Sequence, residues 1–148
     1  MALDIFHLSY KEQYAEQTWE KLVSKFPYAK RVKGIQGIFN AHKRCAELAY
    51  TKSFYVVDAD AIIEEEFKFK FVPNKFKEAY PNVMETECVF TYRSRNPVND
   101  LIYGYGAVKL FPREPFLKLT DWSVDMTTSI GCPFVPKFQI SNVTAFNT

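Results

Sequence analysis

Residues 53–60 read SFYVVDAD and form the centre of the predicted fold. Aromatic and β-branched residues dominate the first part of this run, as in a strand from the middle of a sheet. Upstream, the hydrophobic pattern predicts strands at Asp4–Tyr10 and Ala29–Lys33 and helices at Tyr14–Phe26 and Ile38–Ala49. This alternation with short connections predicts a Rossmann-like α/β sheet with helices on both faces. Its strands should be parallel in the first 60 residues.

The pattern changes in the second half of the chain. Phe67–Phe71 alternates Phe with Lys, which predicts a strand with one apolar and one solvent-exposed face. Val89–Arg95 and Val108–Phe111 are two further predicted strands, and Asn96–Asp100 is a turn cluster. We therefore expect one domain over residues 1–148, either minimal or truncated, whose second half is richer in antiparallel strands and loops.

Composition narrows the class of protein. The chain has 148 residues, of which 47% are hydrophobic, so it can bury a core without disulfides or metals. A net charge of +2 does not by itself indicate a polyanionic partner. No run is long enough for a transmembrane helix, and no signal peptide is visible. Widely spaced Cys45, Cys88 and Cys132 are typical of reduced thiols, so we expect a cytoplasmic protein.

Asp58 and Asp60 are the strongest chemical feature of the sequence. They leave the end of a predicted buried strand and are separated by one small residue. Residues i and i+2 of an extended chain point the same way, so both carboxylates can reach one point. Like charges held close repel unless a cation lies between them, and Mg²⁺ or Mn²⁺ prefers such oxygen ligands. An exposed acidic turn after a core strand is the alternative.

Two stretches carry a resemblance to a known family. Residues 33–42 read KGIQGIFNAH and residues 54–61 read FYVVDADA. Together they resemble the nucleotide-sugar-binding half of GT-A glycosyltransferases. They are also similar to glycosyltransferase-like proteins of tailed phages, which show comparable Gly-Ile-x-x-Ala-His and Val-Val-Asp-x-Asp-Ala motifs. The similarity is clearest over residues 4–63 and continues more weakly through residues 103–110.

The resemblance implies a metal-dependent glycosyltransferase. It would move a hexose or pentose from a nucleoside-diphosphate sugar to a hydroxyl acceptor on a glycan, a protein or a modified DNA base. It places Asp58 near the ribose or the metal, and Asp60 on the Mn²⁺ or Mg²⁺ ion. Ser9 and Tyr10 would lie beside the base. Further residues expected to face the nucleotide are Lys33, Asn40 and His42.

His42 and Lys33 also have a structural interpretation. His42 lies on a predicted helix, where a lone histidine is more often a partly buried, hydrogen-bonded residue than a catalytic one. Lys33 belongs to a basic group, and such groups usually mark a solvated edge.

The remaining candidate residues lie downstream. Tyr103 and Gly104 belong to a Tyr-Gly-Tyr-Gly segment that could line a sugar site or form a bulged strand. Asp100, Asp121 and Asp125 are the carboxylates available as a catalytic base near the acceptor. Asp100 also fits a turn, and Asp121 a helix N-cap.

Two other classes of function stay open. Phe67–Phe71 and Tyr92–Arg95 interleave aromatic and basic residues, as modules that bind single-stranded nucleic acid do. A GT-A-like protein that binds a partner without catalysis is the other alternative.

Overall fold

The structure, a computed structural model, describes residues 2–71, 88–104, 106–119, 132 and 134–145. These residues form one mixed sheet and three helices. The strands are β1 (Asp4–Ser9), β2 (Lys30–Lys33), β3 (Ser53–Asp58), β4 (Ala61–Ile63), β5 (Val89–Arg95), β6 (Ile102–Tyr103), β7 (Val108–Pro112) and β8 (Phe134–Thr144). The helices are α1 (Ala15–Lys25), α2 (Ile38–Leu48) and α3 (Arg113–Leu117).

Strand order sets the topology. The described sheet runs β2-β1-β3-β7-β5-β8-β4, and β6 pairs with β5 beside this path. β1 is parallel to both β2 and β3, whereas β7 is antiparallel to β3 and to β5. The chain passes from β1 through α1 to β2 on one side and then through α2 to β3 on the other. A topological switch point therefore lies between β1 and β3.

The two faces of the sheet carry separate cores. Successive strand residues point to opposite faces, so neighbours on β3 pack against different helices. Tyr55 packs in one cluster with Leu22 of α1, whereas Phe54 packs with Ala46 of α2 and Phe116 of α3. Tyr55 and Phe54 have no exposed surface. The predicted Rossmann-like mixed sheet with helices on both faces is confirmed.

The predicted strand at Phe67–Phe71 is wrong. This segment is irregular, because Phe69 has a φ of +55° and the chain cannot remain extended there. The alternation in burial is nevertheless real: Phe67 and Phe69 are buried while Lys68 and Lys70 are exposed. The Phe67 and Phe69 rings meet edge to face at 4.7 Å, so the phenylalanines form an aromatic cluster without a strand ladder.

The second half contains both expected and unexpected strands. β5, β7 and the turn at Asn96–Asp100 match the prediction. β4, β6 and β8 did not emerge from the hydrophobic pattern. β8 is the longest described strand, yet it contains Pro136 and the polar pair Ser141 and Asn142. It runs parallel to β5 with shifts in register, so this half of the sheet is not purely antiparallel.

The sequence predicted reduced cysteines and no membrane-spanning helix. The cysteines are thiols, and Cys45 and Cys88 are buried. Within the described ranges, no helix is both long and apolar enough to cross a bilayer.

Candidate functional site

A cleft of about 500 Å³ opens at the carboxyl ends of β1 and β3. Its walls come from these two strand ends, the segment before α1, the first turn of α2, and Lys109 of β7. This edge is the switch point between β1 and β3, where open α/β sheets bind their ligands. The fold therefore places the cleft where a nucleotide site is expected from topology alone.

Asp58 and Asp60 both line this cleft. Asp58 is the last residue of β3, and its backbone N–H donates to the Ala107 carbonyl at 2.8 Å. Asp60 lies two residues further on, in the turn that leads into β4. The Asp60 carbonyl accepts a bond from the backbone N–H of Ala145 at 2.6 Å. Sheet contacts thus fix the backbone of the acidic pair on both sides.

The two carboxylates lie in an environment that disfavours their charge. Burial is the main cause that raises the pKa of Asp58, Lys109 lowers it and the Asp60 charge raises it, with a net value of about 6. Burial also raises the pKa of Asp60. The Asp58 side chain keeps 39% of its surface exposed, so protein surrounds the carboxylate but the cleft still reaches it. Asp60 Oδ1 is buried without a hydrogen-bond partner.

Lys109 is the cleft residue that the sequence did not single out. Its side chain is only 10% exposed, and Nζ lies 3.7 Å from Asp58 Oδ2. Nζ also donates to the Gly106 carbonyl at 2.5 Å. Lys109 occurs in the middle of an apolar strand that pairs with β3, opposite Val56. Among the described lining residues, it is the one Lys or Arg.

A chain of buried hydrogen bonds connects the turn between Asp58 and Asp60 to α1 and β1. The Thr18 hydroxyl on α1 donates to the carbonyl of Ala59, between the two aspartates, at 2.7 Å. Its oxygen therefore accepts from His7 Nε2 at 2.9 Å. His7 is completely buried, and burial lowers its pKa to about 4. The neutral ring of His7 thus ties β1 and α1 to the turn.

Three other predicted residues reach the cleft. Ser9 ends β1, and its hydroxyl oxygen is buried without a hydrogen-bond partner. Tyr10 follows and is 41% exposed, so its ring is accessible to a ligand. His42 lies on α2, where Nδ1 donates to the Ile38 carbonyl at 2.8 Å. Burial and then the Lys109 charge lower the pKa of His42 to about 4, so the ring facing the cleft is neutral.

The first turn of α2 forms one wall of the cleft. Gly37 precedes the helix with a φ of +94°, a conformation that favours glycine. No side chain caps this helix start, and no acidic residue lies in its first turn. Gly37, Ile38 and Ala41 line the cleft, so the positive end of the helix dipole faces it. This arrangement favours an anionic ligand.

Lys33 and Asn40 lie near the cleft but are not among its described lining residues. Lys33 Nζ donates to Glu16 Oε1 at 3.1 Å, which directs the side chain towards α1. The Asn40 amide donates to the Gln36 carbonyl at 3.2 Å and stabilises the turn before α2. Both side chains have structural partners in the described chain.

Asp100, Tyr103 and Gly104 are not among the described lining residues of the cleft. Asp100 has a φ of +63° in its turn, and its side chain is 80% exposed, 3.5 Å from Arg95. The Tyr103 hydroxyl bonds to the Thr144 hydroxyl, and the adjacent Gly104 is exposed.

Asp121 and Asp125 lie outside the described residues. Their expected role as a catalytic base therefore stays a prediction.

The acidic pair fits a hard divalent cation by its chemistry. Within the described part of the chain, no three His, Cys, Asp or Glu side chains gather into a closed metal cluster. Mg²⁺ does not need such a cluster, because it commonly uses one or two carboxylates and completes its shell with water and phosphate. The unpartnered Asp60 Oδ1 is an oxygen atom suited to this purpose.

Comparisons with known proteins bear on the fold. No family model matches the sequence, and no curated protein matches it. One similar structure is a glycosyltransferase involved in the glycosylation of the major capsid of PBCV-1, with a TM-score of 0.50 and 11% identity. That match covers 91% of this chain and 82% of the other.

Two further structures extend the comparison. A197 from STIV has a TM-score of 0.58 at 13% identity, covering 93% of this chain and 82% of the other. The bifunctional IspDF from Campylobacter jejuni has a TM-score of 0.51 at 10% identity. That match covers 93% of this chain and 50% of the other. At these identities the similarity shows a shared fold, and the chain is Rossmann-like in the manner of these proteins.

Proposed function

We propose that this protein is a metal-dependent glycosyltransferase that takes its sugar from a nucleoside-diphosphate donor. The observation that carries the proposal is the pair Asp58 and Asp60 in a cleft at the switch point of the sheet. Asp60 Oδ1, to which the described residues donate no hydrogen bond, supports the proposal as an oxygen available to a ligand. The GT-A resemblance and the fold shared with a glycosyltransferase agree with this function.

Each wall of the cleft has a part in donor binding. Tyr10 offers a ring on which the base can stack, and the Ser9 hydroxyl can bond to the nucleoside. The start of α2 favours the negative charge of the diphosphate. The Asp58 and Asp60 carboxylates would hold Mg²⁺ or Mn²⁺. When bound, the ion supplies a Lewis acid that stabilises the leaving nucleoside diphosphate.

The acidic pair is prepared for a cation by its surroundings. Burial raises the pKa of both carboxyl groups, so their charges are costly until a positive partner arrives. The bonds to Ala107, Ala145 and Thr18 keep the turn in place before a cation binds. A preorganised site of this kind loses little conformational freedom on binding.

Binding to single-stranded nucleic acid is less well supported. The prediction of such binding depended on aromatic residues interleaved with basic ones. However, Phe67, Phe69 and Tyr92 are buried. A stacking platform needs rings that bases can reach. The buried rings belong instead to the core under α1.

A cytoplasmic location fits the chemistry of the cysteines. The three side chains are thiols, which persist in reducing compartments. The acceptor remains the hydroxyl group of a glycan, a protein or a modified DNA base.

A thermal-shift panel tests the proposed function. Nucleoside diphosphates, their sugars and nucleoside triphosphates would be compared with Mn²⁺ and with EDTA. A ligand at 100 times its Kd stabilises the fold by about 2.7 kcal/mol. We expect stabilisation by one base series, stronger with Mn²⁺ and lost in Asp60→Asn. A preference for triphosphates would indicate nucleotidyl transfer, and no response to any of these ligands would contradict the proposal.

A further inference from the structure

The described lining of the cleft carries more negative than positive charge, which disfavours a diphosphate. The described lining contains the carboxylates of Glu12, Asp58 and Asp60 but a single ammonium group, that of Lys109. His42 faces the same space as a neutral ring. The phosphates of a donor would therefore be repelled unless positive charge is supplied. A divalent ion is one source, and Lys109 is the only Lys or Arg among the described lining residues.

Lys109 is held loosely beside Asp58. The 3.7 Å between Nζ and Asp58 Oδ2 is an ion-pair distance and exceeds that of a hydrogen bond. The firm bond is the one to the Gly106 carbonyl, at 2.5 Å, two residues before the same strand begins. An ammonium group has three donors, so donors remain for a second partner in the cleft. The stem of Lys109 is buried, and its charged end lies at the cleft wall.

A purely structural role explains this lysine poorly. Its neighbours on β7, Val108 and Leu110, are buried and apolar, and Phe111 follows in the core. A lysine in such a strand is costly unless it is paired, because its charge is taken out of water. Asp58 is itself an acid with a raised pKa, so each member of the pair is costly. Natural sequences keep such unfavourable pairs mainly at functional sites.

We propose that Lys109 is a donor-binding residue that neutralises Asp58 in the empty cleft and transfers its contact to a phosphate oxygen when the donor binds. The ammonium and a divalent ion would then compete for Asp58 until the diphosphate arrives. This inference rests on the proposed function and adds a residue and an order of events to it. In the complex, the phosphates would be held by Lys109 on one side and by the cation on the other.

The test measures two ligands separately, on wild-type protein and on Lys109→Met. The first ligand is Mn²⁺ alone, titrated calorimetrically. The second is the nucleoside diphosphate that stabilises the protein most in the thermal-shift panel, titrated with Mn²⁺ and again in EDTA. Lys109→Gln is a second variant, which keeps a donor for the Gly106 carbonyl. Lys21→Met, which removes an exposed lysine from α1, is the matched control.

We expect opposite changes for the two ligands. Removing the ammonium should weaken diphosphate binding by about tenfold or more, as for loss of a charge-assisted contact. Binding of Mn²⁺ alone should become tighter, because no ammonium competes for Asp58. Unchanged diphosphate affinity in both folded Lys109 variants would overturn the inference, even if Mn²⁺ binding tightens. If the wild type binds none of these ligands, the proposed function itself fails, and the inference fails with it.

Discussion

Asp4 and Asp60 lie at opposite ends of the parallel strands β1 and β3, and their surroundings differ. At the amino end of β1, Asp4 Oδ2 accepts bonds from the backbone N–H groups of Tyr50, at 2.6 Å, and Thr51, at 3.1 Å. Lys30 lies 3.3 Å from the other oxygen. At the carboxyl end, Asp60 Oδ1 is buried and receives no hydrogen bond from the residues that the structure describes.

The pKa values of these residues shift in opposite directions. Burial would raise the pKa of Asp4, but the Tyr50 and Thr51 N–H groups and the Lys30 charge outweigh it, so the pKa is lowered. Burial raises the pKa of Asp60 by more than its own backbone N–H and the Lys109 charge lower it, so the pKa is raised. Partners supplied by the chain complete the first site. At the second, the described residues leave Asp60 Oδ1 without a hydrogen bond, which agrees with the proposed binding site.

Removing both carboxylates of the cleft should have the largest effect. In Asp58→Asn/Asp60→Asn, we expect donor turnover to fall about 1000-fold, equivalent to about 4 kcal/mol of lost transition-state stabilisation. Release of nucleoside diphosphate from the best-binding donor sugar would be measured. Asp4→Asn is the matched control and should retain turnover. If Asp4→Asn lost as much turnover as Asp58→Asn/Asp60→Asn, the two ends of the sheet would not differ in function.

The buried histidine below the cleft should make stability sensitive to acid. The unfolded chain takes up a proton on His7 near its ordinary pKa of 6.5, whereas the folded chain does so only near 4. Stability is therefore unaffected above pH 6.5 and falls as the pH drops towards 4, by about 3 kcal/mol from this residue. Urea unfolding of wild type and His7→Gln would be compared across this range. If the free energy of unfolding depends on pH in the same way in wild type and His7→Gln, His7 is not a buried neutral ring.

Asp4→Ala should reduce stability without affecting the cleft. The Tyr50 and Thr51 N–H groups lose their acceptor, which costs about 2 kcal/mol. Because the Asp4 pKa is lowered, this contribution is present above pH 3.8 and disappears as the pH falls below that value. Chemical unfolding at pH 7 and pH 3 would measure it, with donor binding as the control. Weakened donor binding in a folded Asp4→Ala protein would show that the two ends are coupled.

Asp60→Asn should produce the smallest change, and in the opposite direction. The variant removes a buried charge whose oxygen lacks a partner, so the ligand-free protein should gain about 1 kcal/mol of stability at pH 7. The same protein should lose its stabilisation by donor and Mn²⁺. Thermal unfolding with and without ligand measures both effects. A clear loss of stability in the ligand-free state would indicate that Asp60 has a structural partner after all.

The sequence predicted the first half of the fold well because the information there is local. Strands β1 to β3 and helices α1 and α2 follow hydrophobic periodicity, and Asp58 and Asp60 directly follow a buried run. Ser9 and His42 were assigned to the nucleotide site by the resemblance to GT-A glycosyltransferases, and both line the cleft. Lys33 and Asn40 could not be assigned reliably, since their orientations depend on Glu16 and on the Gln36 carbonyl.

Lys109 shows why the rest of the site could not be predicted. It lies far along the chain, in a strand whose alternation suggests an ordinary solvent-exposed lysine. Only the antiparallel pairing of β7 with β3 brings it beside Asp58. The strand predicted at Phe67–Phe71 failed for a similar reason, because aromatic packing with Tyr55 overrides the local pattern.

Electron paramagnetic resonance of Mn²⁺ is the most direct test of the acidic pair as a cation site. Spectra would be recorded with the nucleoside diphosphate that binds best, for the wild type and for Asp58→Asn/Asp60→Asn. We expect about one bound Mn²⁺ per wild-type chain in the presence of the diphosphate, and none above background in the variant. Equal Mn²⁺ binding by the two folded proteins, or none by the wild type, would contradict the proposed site.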